Sequence, residues 1–142
     1  MKITIIGGLC ISLIFLISLV PTTFSEGMTD TQLEINDIRS LLGAVETDIK
    51  NIGDSVAEEI SIYVQVSGGL LNNIDIQHDC SGCDACGTTL ASGGIKTENT
   101  LEAGFIIGLG SVEITVTASA TNANEVTKTV NGLVIGQFII IN

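Results

Sequence analysis

Apolar and polar residues alternate through the second half of the chain. Segments 60–66, 73–78 and 112–118 place an apolar residue at every second position, as in ISIYVQV and VEITVTA. This period of two is typical of half-buried antiparallel strands. EVTKTV follows the turn TNAN, so residues 111–131 predict a β-hairpin. FIIGLG and LVIGQFIII are apolar on both faces, as in central sandwich strands or an edge that a partner covers. Six or seven short strands therefore predict a mainly β fold, an antiparallel β-sandwich over residues 60–142.

Residues 28–59 follow a different period. Seven apolar residues are separated alternately by three and four positions: Ile35, Ile38, Leu42, Val45, Ile49, Ile52 and Val56. This a/d heptad spacing predicts an amphipathic α-helix, with a capping box at Thr29 and Gln32. β-branched residues at both a and d favour three-stranded coiled coils, so the helix could join copies of the chain into a homo-oligomer. Alternatively, it packs alone on its own domain.

The N-terminal segment is hydrophobic. Lys2 is followed by an apolar run over residues 3–20 and then by a proline. Thr23 and Ser25 suit the −3 and −1 positions of a cleavage site, which would make residues 1–25 a signal peptide. The run is also just long enough to cross a bilayer as an uncleaved anchor. Both alternatives predict an extracytoplasmic protein, either secreted or anchored to the cell membrane.

The charge balance excludes some partners. The sequence has 16 acidic and 5 basic residues, for a formal net charge of -11. Without clustered Lys and Arg, it lacks the charges that bind nucleic-acid phosphates or anionic lipid surfaces. We therefore expect no nucleic-acid partner, and membrane contact only through residues 3–20 if the leader is retained.

The C-terminal segment EAGFIIGLGSVEITVTASATNANEVTKTVNGLVIGQFII resembles the closing strands of an immunoglobulin-like β-sandwich of the CARDB or bacterial-Ig type, common in archaeal exported and cell-surface proteins. The matching residues are those at 102–104, 108–118, 127–129 and 132–138. These motifs are turns and core positions, and they carry no catalytic residues. The resemblance implies adhesion, spacing or protein binding at the cell envelope. The usual first strands would be replaced by the predicted helix, leaving an open sheet edge for the helix or another chain to cover.

Three cysteines lie close together in HDCSGCDACG. Cys80, Cys83 and Cys86 could form a zinc site with His78, whereas an iron–sulfur site would need a fourth cysteine besides Cys10 of the leader. Outside the cytoplasm disulfides are the default. We expect one disulfide among the three cysteines and one remaining thiol, with the pairing left open. A thioredoxin-type redox centre would need a helix N-terminus, which this Gly- and Asp-rich loop does not indicate.

These observations favour a protein without an enzymatic activity. The sequence has no G-x-S-x-G elbow, phosphate-binding loop or dinucleotide motif. We expect an adhesion-type structural or interaction module at the cell envelope, with other envelope proteins as partners and no cofactor. Two alternatives stay open. One is a metal-binding or redox protein that uses the cysteine loop with zinc or iron. The other is a pilin-like filament subunit, in which a hydrophobic N-terminal segment precedes a β-domain. The predicted organisation is a leader (1–25), a helix (28–59) and an immunoglobulin-like sandwich (60–142).

Overall fold

A computed structural model describes residues 30–81 and 89–142. The predicted leader, residues 1–25, and the cysteines Cys83 and Cys86 lie outside these ranges. Within them the fold consists of ten strands, which are β1 (Leu33–Leu41), β2 (Ala44–Asn51), β3 (Ala57–Glu58), β4 (Ser61–Gly68), β5 (Ile74–Cys80), β6 (Thr89–Leu90), β7 (Ile95–Asn99), β8 (Gly108–Ala120), β9 (Ala123–Gly136) and β10 (Phe138–Ile141). Two 3₁₀ turns, Leu70–Asn72 and Thr100–Glu102, lie in the connections. No helix in the described ranges is long and apolar enough to cross a membrane.

The strands form two layers and a small ribbon, and all the pairs are antiparallel. One sheet has five strands in the order β10-β9-β8-β4-β5, and a second has three in the order β1-β2-β7. Strands β3 and β6 form the two-stranded ribbon. Strand β1 contacts β8, β9 and β10 across the interior, so the two larger sheets pack face to face. The predicted mainly β fold with antiparallel sheets is confirmed.

Alternate residues of the central strands fill the core. Their inward side chains pair in the register Ile62–Ala118, Val64–Val116 and Val66–Ile114 between β4 and β8, and all six are buried. Each large side chain of this kind stabilises the fold by about 1.5–3 kcal/mol through burial. The predicted hairpin over residues 111–131 is present as part of β8 and β9, with a two-residue turn between Ala120 and Ala123. The period of two was therefore a reliable signal in this half of the chain.

The helix predicted over residues 28–59 is wrong. The described part of this segment forms the β1–β2 hairpin followed by β3, and Gly43 takes a φ of +71° in the tight turn. Strands β1 and β2 therefore lie where the helix was expected. A coiled-coil contact between copies through this segment is excluded, because its core positions belong to strands.

Two features of the hairpin disguise its period of two. Strand β2 turns Val45, Thr47, Ile49 and Asn51 inward, so two of its four core positions are polar. In β1 the register shifts between Ile35 and Asp37, so that Ile35 and Ile38 both face the core although they are three positions apart. A bulge and two polar core residues therefore produced a spacing that imitates a heptad. Of the seven proposed helix residues, four are buried in the sandwich (Ile35, Ile38, Val45 and Ile49) and three are exposed in connections (Leu42, Ile52 and Val56).

The polar core residues of β2 are satisfied by backbone partners. The Thr47 hydroxyl donates to the carbonyl oxygen of Asp37 at 3.0 Å. The Asn51 amide group donates to the carbonyl oxygens of Ser55 at 2.7 Å and Leu90 at 2.9 Å, and its own oxygen accepts from the N–H of Gly53 at 3.0 Å. Asn51 therefore ties β2 to the following turn and to the β3–β6 ribbon.

An ion network covers the outer side of the hairpin. Arg39 on β1 donates to Glu46 Oε1 at 2.6 Å and to Asp48 Oδ2 at 2.5 Å, both on β2. The Thr97 hydroxyl on β7 donates to Asp48 Oδ1 at 2.6 Å. The hydrogen bonds from Arg39 and then from Thr97 hold the pKa of the Asp48 carboxyl below its usual value. This network joins all three strands of the smaller sheet.

Candidate functional site

Four chain connections meet at one end of the sandwich. They are the β1–β2 turn, the β4–β5 connection, the loop from β7 to β8 and the β9–β10 turn, which antiparallel pairing brings to the same end. Backbone hydrogen bonds join three of them. The Gly43 N–H donates to the Gln137 oxygen at 2.8 Å, and the Ile106 N–H donates to the Gly43 oxygen at 2.8 Å. The Gly69 N–H donates to the Ser111 oxygen of β8 at 2.7 Å, which fixes the fourth connection beside them.

This end of the molecule exposes many large apolar side chains. Among the described residues, nine at this end are between 41% and 92% exposed, namely Leu42, Leu70, Leu71, Leu101, Phe105, Ile107, Leu109, Ile135 and Phe138. We call these nine residues the apolar tip. Leu109, Ile135 and Phe138 form one row across β8, β9 and β10. Leu133 and Ile140 are paired in the next row, so the apolar surface continues down the outward face of the sheet.

The two ends of the sandwich differ in charge. In the four connections at the tip, over residues 42–43, 69–73, 100–107 and 137, the only charged residue is Glu102. The opposite end carries exposed acidic residues, which are Asp30, Asp54, Glu58, Glu59 and Glu125. Strand β4 has eight residues, which at about 3.3 Å per residue separates the two ends by roughly 25 Å. The molecule is therefore polarised, with an apolar end whose connections carry one charged residue and an opposite end that carries five exposed acidic residues.

Close contacts hold the tip loops in place. A Cβ atom at Gly43 would lie 2.6 Å from Cδ1 of Phe105, so this ring sits directly against the β1–β2 turn. A Cβ atom at Gly110, where φ is +119°, would lie 2.7 Å from the backbone nitrogen of Leu70. Leu71 and Asn72 both have positive φ, of 62° and 53°, a conformation that side-chain-bearing residues rarely adopt. This backbone turns Leu71 outward, where it is 92% exposed.

A second cluster of functional groups lies at the edge of the sandwich. His78 and Cys80 point inward from β5, and Glu98 reaches them from β7, so that one ligand atom from each lies within 4.8 Å of the others. Nε2 of His78 is 3.9 Å from Oε2 of Glu98, and Nζ of Lys96 is 3.4 Å from Oε1 of the same carboxylate. The fold thus adds Glu98 to two of the residues that the sequence proposed. No sequence signal linked Glu98 to this cluster, because it lies on a strand of the other sheet.

The state of Cys80 limits what this cluster can do. Cys80 is disulfide-bonded, and its partner is not among the described residues. A disulfide sulfur has no thiolate, which is the form of cysteine that binds zinc or iron. In this state the cluster offers one imidazole and one carboxylate that also contacts a lysine. The pairing among Cys80, Cys83 and Cys86 and the zinc or iron alternative stay predictions.

Part of the tip could be anticipated from the sequence. FIIGLG and LVIGQFIII are apolar at successive positions, which indicated either central sandwich strands or an edge that a partner covers, and they supply Phe105, Ile107, Leu109, Ile135 and Phe138. Leu42 was missed because it was assigned to a helix. Leu70, Leu71 and Leu101 were missed because only the three-dimensional arrangement brings their loops to the same end as the others.

Comparison with known proteins gives little further information. No family model matches the chain, so the resemblance to CARDB-type domains stays a prediction, and no curated protein matches it. Among the solved structures that match is the archaellum periplasmic stator protein FlaG from Sulfolobus acidocaldarius. The two chains are 16% identical, the match covers 70% of this chain and 98% of the other, and the TM-score is 0.45. Neither value is high enough to transfer a function between the two proteins.

Proposed function

We propose that this chain is a non-enzymatic structural or interaction module of adhesion type, placed outside the cytoplasm, that contacts another component of the cell envelope through its apolar tip. The separation of an apolar end, with Glu102 as the only charge in its connections, from an acidic end is the observation that carries the proposal. Net charge keeps an acidic protein soluble. In this chain the connections at the tip carry a single charged residue, Glu102. A surface of that composition is suited to contact with another protein.

The size of the tip supports a contact surface. With about 200 Å² for a fully exposed large side chain, the nine tip residues at 41–92% exposure present on the order of 1,000 Å². The largest apolar patch of a typical monomer is about 300–600 Å². A standard protein–protein interface buries about 800 Å² on each partner. The tip is therefore large enough to form a complete interface.

The position of the tip also fits an envelope protein. Asp30, the first described residue, enters the sandwich at the acidic end, before β1. If the apolar run of residues 3–20 is retained as an anchor, it connects to this end. The tip would then project away from the membrane by the length of the sandwich and would reach a neighbouring protein. If the leader is cleaved, the tip is equally free to bind.

The alternatives have weaker support. A metal or redox function is favoured by the approach of Glu98 to His78 and Cys80, and it is disfavoured by the disulfide at Cys80. Reduced cysteines with stoichiometric zinc or iron in the protein from source cells would favour it. The pilin-like alternative depends on the hydrophobic segment of residues 3–20, which lies outside the described residues, and it stays a prediction.

Hydroxyl-radical footprinting tests the proposal without knowledge of the partner. The full chain is oxidised in isolated cell envelopes and again after dilution in detergent, and side-chain modification is measured by mass spectrometry. We expect Leu71, Phe105 and Phe138 to be modified several-fold more slowly in envelopes. The exposed residues Ile52 and Ile95 at the opposite end are the matched controls and should react equally in both samples. Equal modification of the three tip residues in the two samples would overturn the proposal.

A further inference from the structure

We infer that the apolar tip binds a second copy of this chain, so that two sandwiches join end to end through the same surface. The inference rests on the proposed function, since it names the partner of the tip. It differs from the oligomer expected from the sequence, which would have used a helix over residues 28–59. It assigns the contact to side chains of the four connections instead.

Electrostatic repulsion between two copies of the chain depends on their orientation, and it is smallest when they meet through their tips. Each chain has a net charge of -11, so most contacts between two copies would bring acidic surfaces together. A contact through the tips places the acidic ends at the far sides of the dimer, each roughly 25 Å from the interface. The Debye length at physiological ionic strength is about 8 Å, so repulsion between those ends is largely screened. Glu102 is the only charge within the connections that meet.

The same distribution of charge disfavours the binding of lipid surfaces, nucleic acids or cationic proteins at the apolar tip. The tip carries no Lys or Arg in its four connections, so it has no group that would attract an anionic lipid surface or a nucleic acid. It also carries no acidic cluster that would attract a cationic protein. The tip therefore suits a partner with a largely apolar surface, and a second tip has this composition, with Glu102 as the only charge in its connections. A two-fold interface uses the same patch on both copies, which is the commonest form of oligomer.

The β10 edge of the larger sheet lacks charged residues and extends the apolar surface of the tip. Natural edge strands are commonly protected from pairing by charged residues. Strand β5 carries Asp75 and Asp79 at one edge of the five-stranded sheet, whereas β10 at the other edge carries no charged residue. The apolar surface of the tip continues onto β10 through Phe138 and Ile140. The second copy should therefore lie on the β10 side of the tip.

The tip is already ordered for binding. The contacts of Phe105 with Gly43 and of Leu70 with Gly110 fix two of its loops. The left-handed backbone at Leu71 and Asn72 directs the most exposed side chain outward. A preorganised loop backbone loses little conformational entropy on association, so more of the burial energy is realised as affinity.

Sedimentation of the purified full chain in detergent tests the inference. We expect a protein mass of twice 14.8 kDa at micromolar concentration. Leu71→Asp and Phe138→Asp should each raise the dissociation constant by about 30-fold or more, as expected for central interface residues. Ile52→Asp and Ile95→Asp place the same charge on exposed residues at the acidic end and should leave the constant within about threefold. Unchanged far-UV circular dichroism and thermal unfolding of each variant, compared at concentrations where all are monomeric, confirm that the fold is intact.

Salt provides an independent readout. Because like charges oppose association, raising the salt concentration from about 0.02 M to about 0.5 M should lower the dissociation constant of the dimer. If attraction between opposite charges held the dimer together, the same increase would raise the dissociation constant. A dimer that survives both tip substitutions, or one that salt weakens, would overturn the inference. A chain that stays monomeric would also overturn it. If the tip is nevertheless protected in envelopes, the proposed function stands with a different partner. If the chain stays monomeric and the tip residues are also not protected in envelopes, the proposed function and the end-to-end dimer are both wrong.

Discussion

Replacing Asn51 with alanine should severely destabilise the sandwich, because one side chain satisfies three backbone groups. Asn51 is 0% exposed at the end of β2. Its amide reaches the carbonyl oxygens of Ser55 and Leu90, and its oxygen receives the N–H of Gly53. Alanine removes all three hydrogen bonds and offers none in return. The β1–β2 hairpin would lose its side-chain hydrogen bond to the β3–β6 ribbon, the one from Asn51 to Leu90.

The magnitude follows from the burial of the groups left behind. A buried polar group that loses its partner costs about 1–3 kcal/mol. Gly53 and Leu90 are buried, so water cannot replace the hydrogen bonds lost there, whereas the half-buried Ser55 can recover a bond from water. We therefore expect Asn51→Ala to lower the free energy of unfolding by about 3–5 kcal/mol. That loss is a large part of the 5–15 kcal/mol that stabilises a typical domain.

Urea denaturation of the full chain, followed by far-UV circular dichroism, measures this loss. Protein concentration must be equal in all samples, because self-association adds to the apparent stability. Asn131→Ala is the matched control, since Asn131 lies exposed on the outward face of β9. It should change the free energy of unfolding by less than about 0.5 kcal/mol. A loss of under about 1 kcal/mol for Asn51→Ala would refute the reasoning.

Four further substitutions test other parts of the account. Gly53→Ala should prevent stable folding, because its Cβ would lie 2.2 Å from the nearest backbone oxygen. Gly93→Ala should cost only about 1 kcal/mol in urea, because its Cβ meets nothing within 4 Å and only its positive φ opposes the change. The lowered pKa of Asp48 beside Arg39 contributes stability that is present at neutral pH and lost as the pH falls below the usual carboxyl value. Asp48→Asn should therefore reduce the fall in Tm between about pH 5 and about pH 2, and an unchanged fall would contradict this. Glu102→Gln removes the only charge in the tip connections and should tighten self-association by about threefold in sedimentation, whereas weaker association would contradict the end-to-end arrangement.

The sequence predicted the strands well where every core position is apolar. In β4 and β8 the inward residues are all apolar, so the period of two is visible and the sheets follow from it. In β2 the inward Thr47 and Asn51 break the apolar alternation, and in β1 the bulge after Ile35 changes its phase. A period calculated from apolar residues cannot recognise a polar residue whose hydrogen-bond partners come from the rest of the fold. Gly43 and Gly53, which are unfavourable in a helix, were the residues that contradicted the helical interpretation.

The candidate site was less predictable than the fold. Exposed apolar residues resemble core residues in a sequence, because burial depends on what other elements cover. Phe105 and Ile107 are exposed, whereas Ile106 between them is 1% exposed, and only the assembled sheets decide which of the three is covered. The spacing of the cysteines identified His78 and Cys80 as candidate ligands. Glu98, which lies beside them, is on a strand of the other sheet and could not be identified in this way. A surface formed by four connections has no continuous sequence signature.

Photo-crosslinking from Leu71 in membranes of the source cells tests the central claim most directly. A photoreactive residue replaces Leu71, and in a separate control it replaces Ile95, which is 54% exposed at the acidic end. After irradiation, intact mass identifies what each position touches. We predict an adduct from position 71 with twice the mass of the chain and no comparable adduct from position 95. An adduct with lipid or equal yields from both positions would contradict the account, as would the absence of any adduct at position 71.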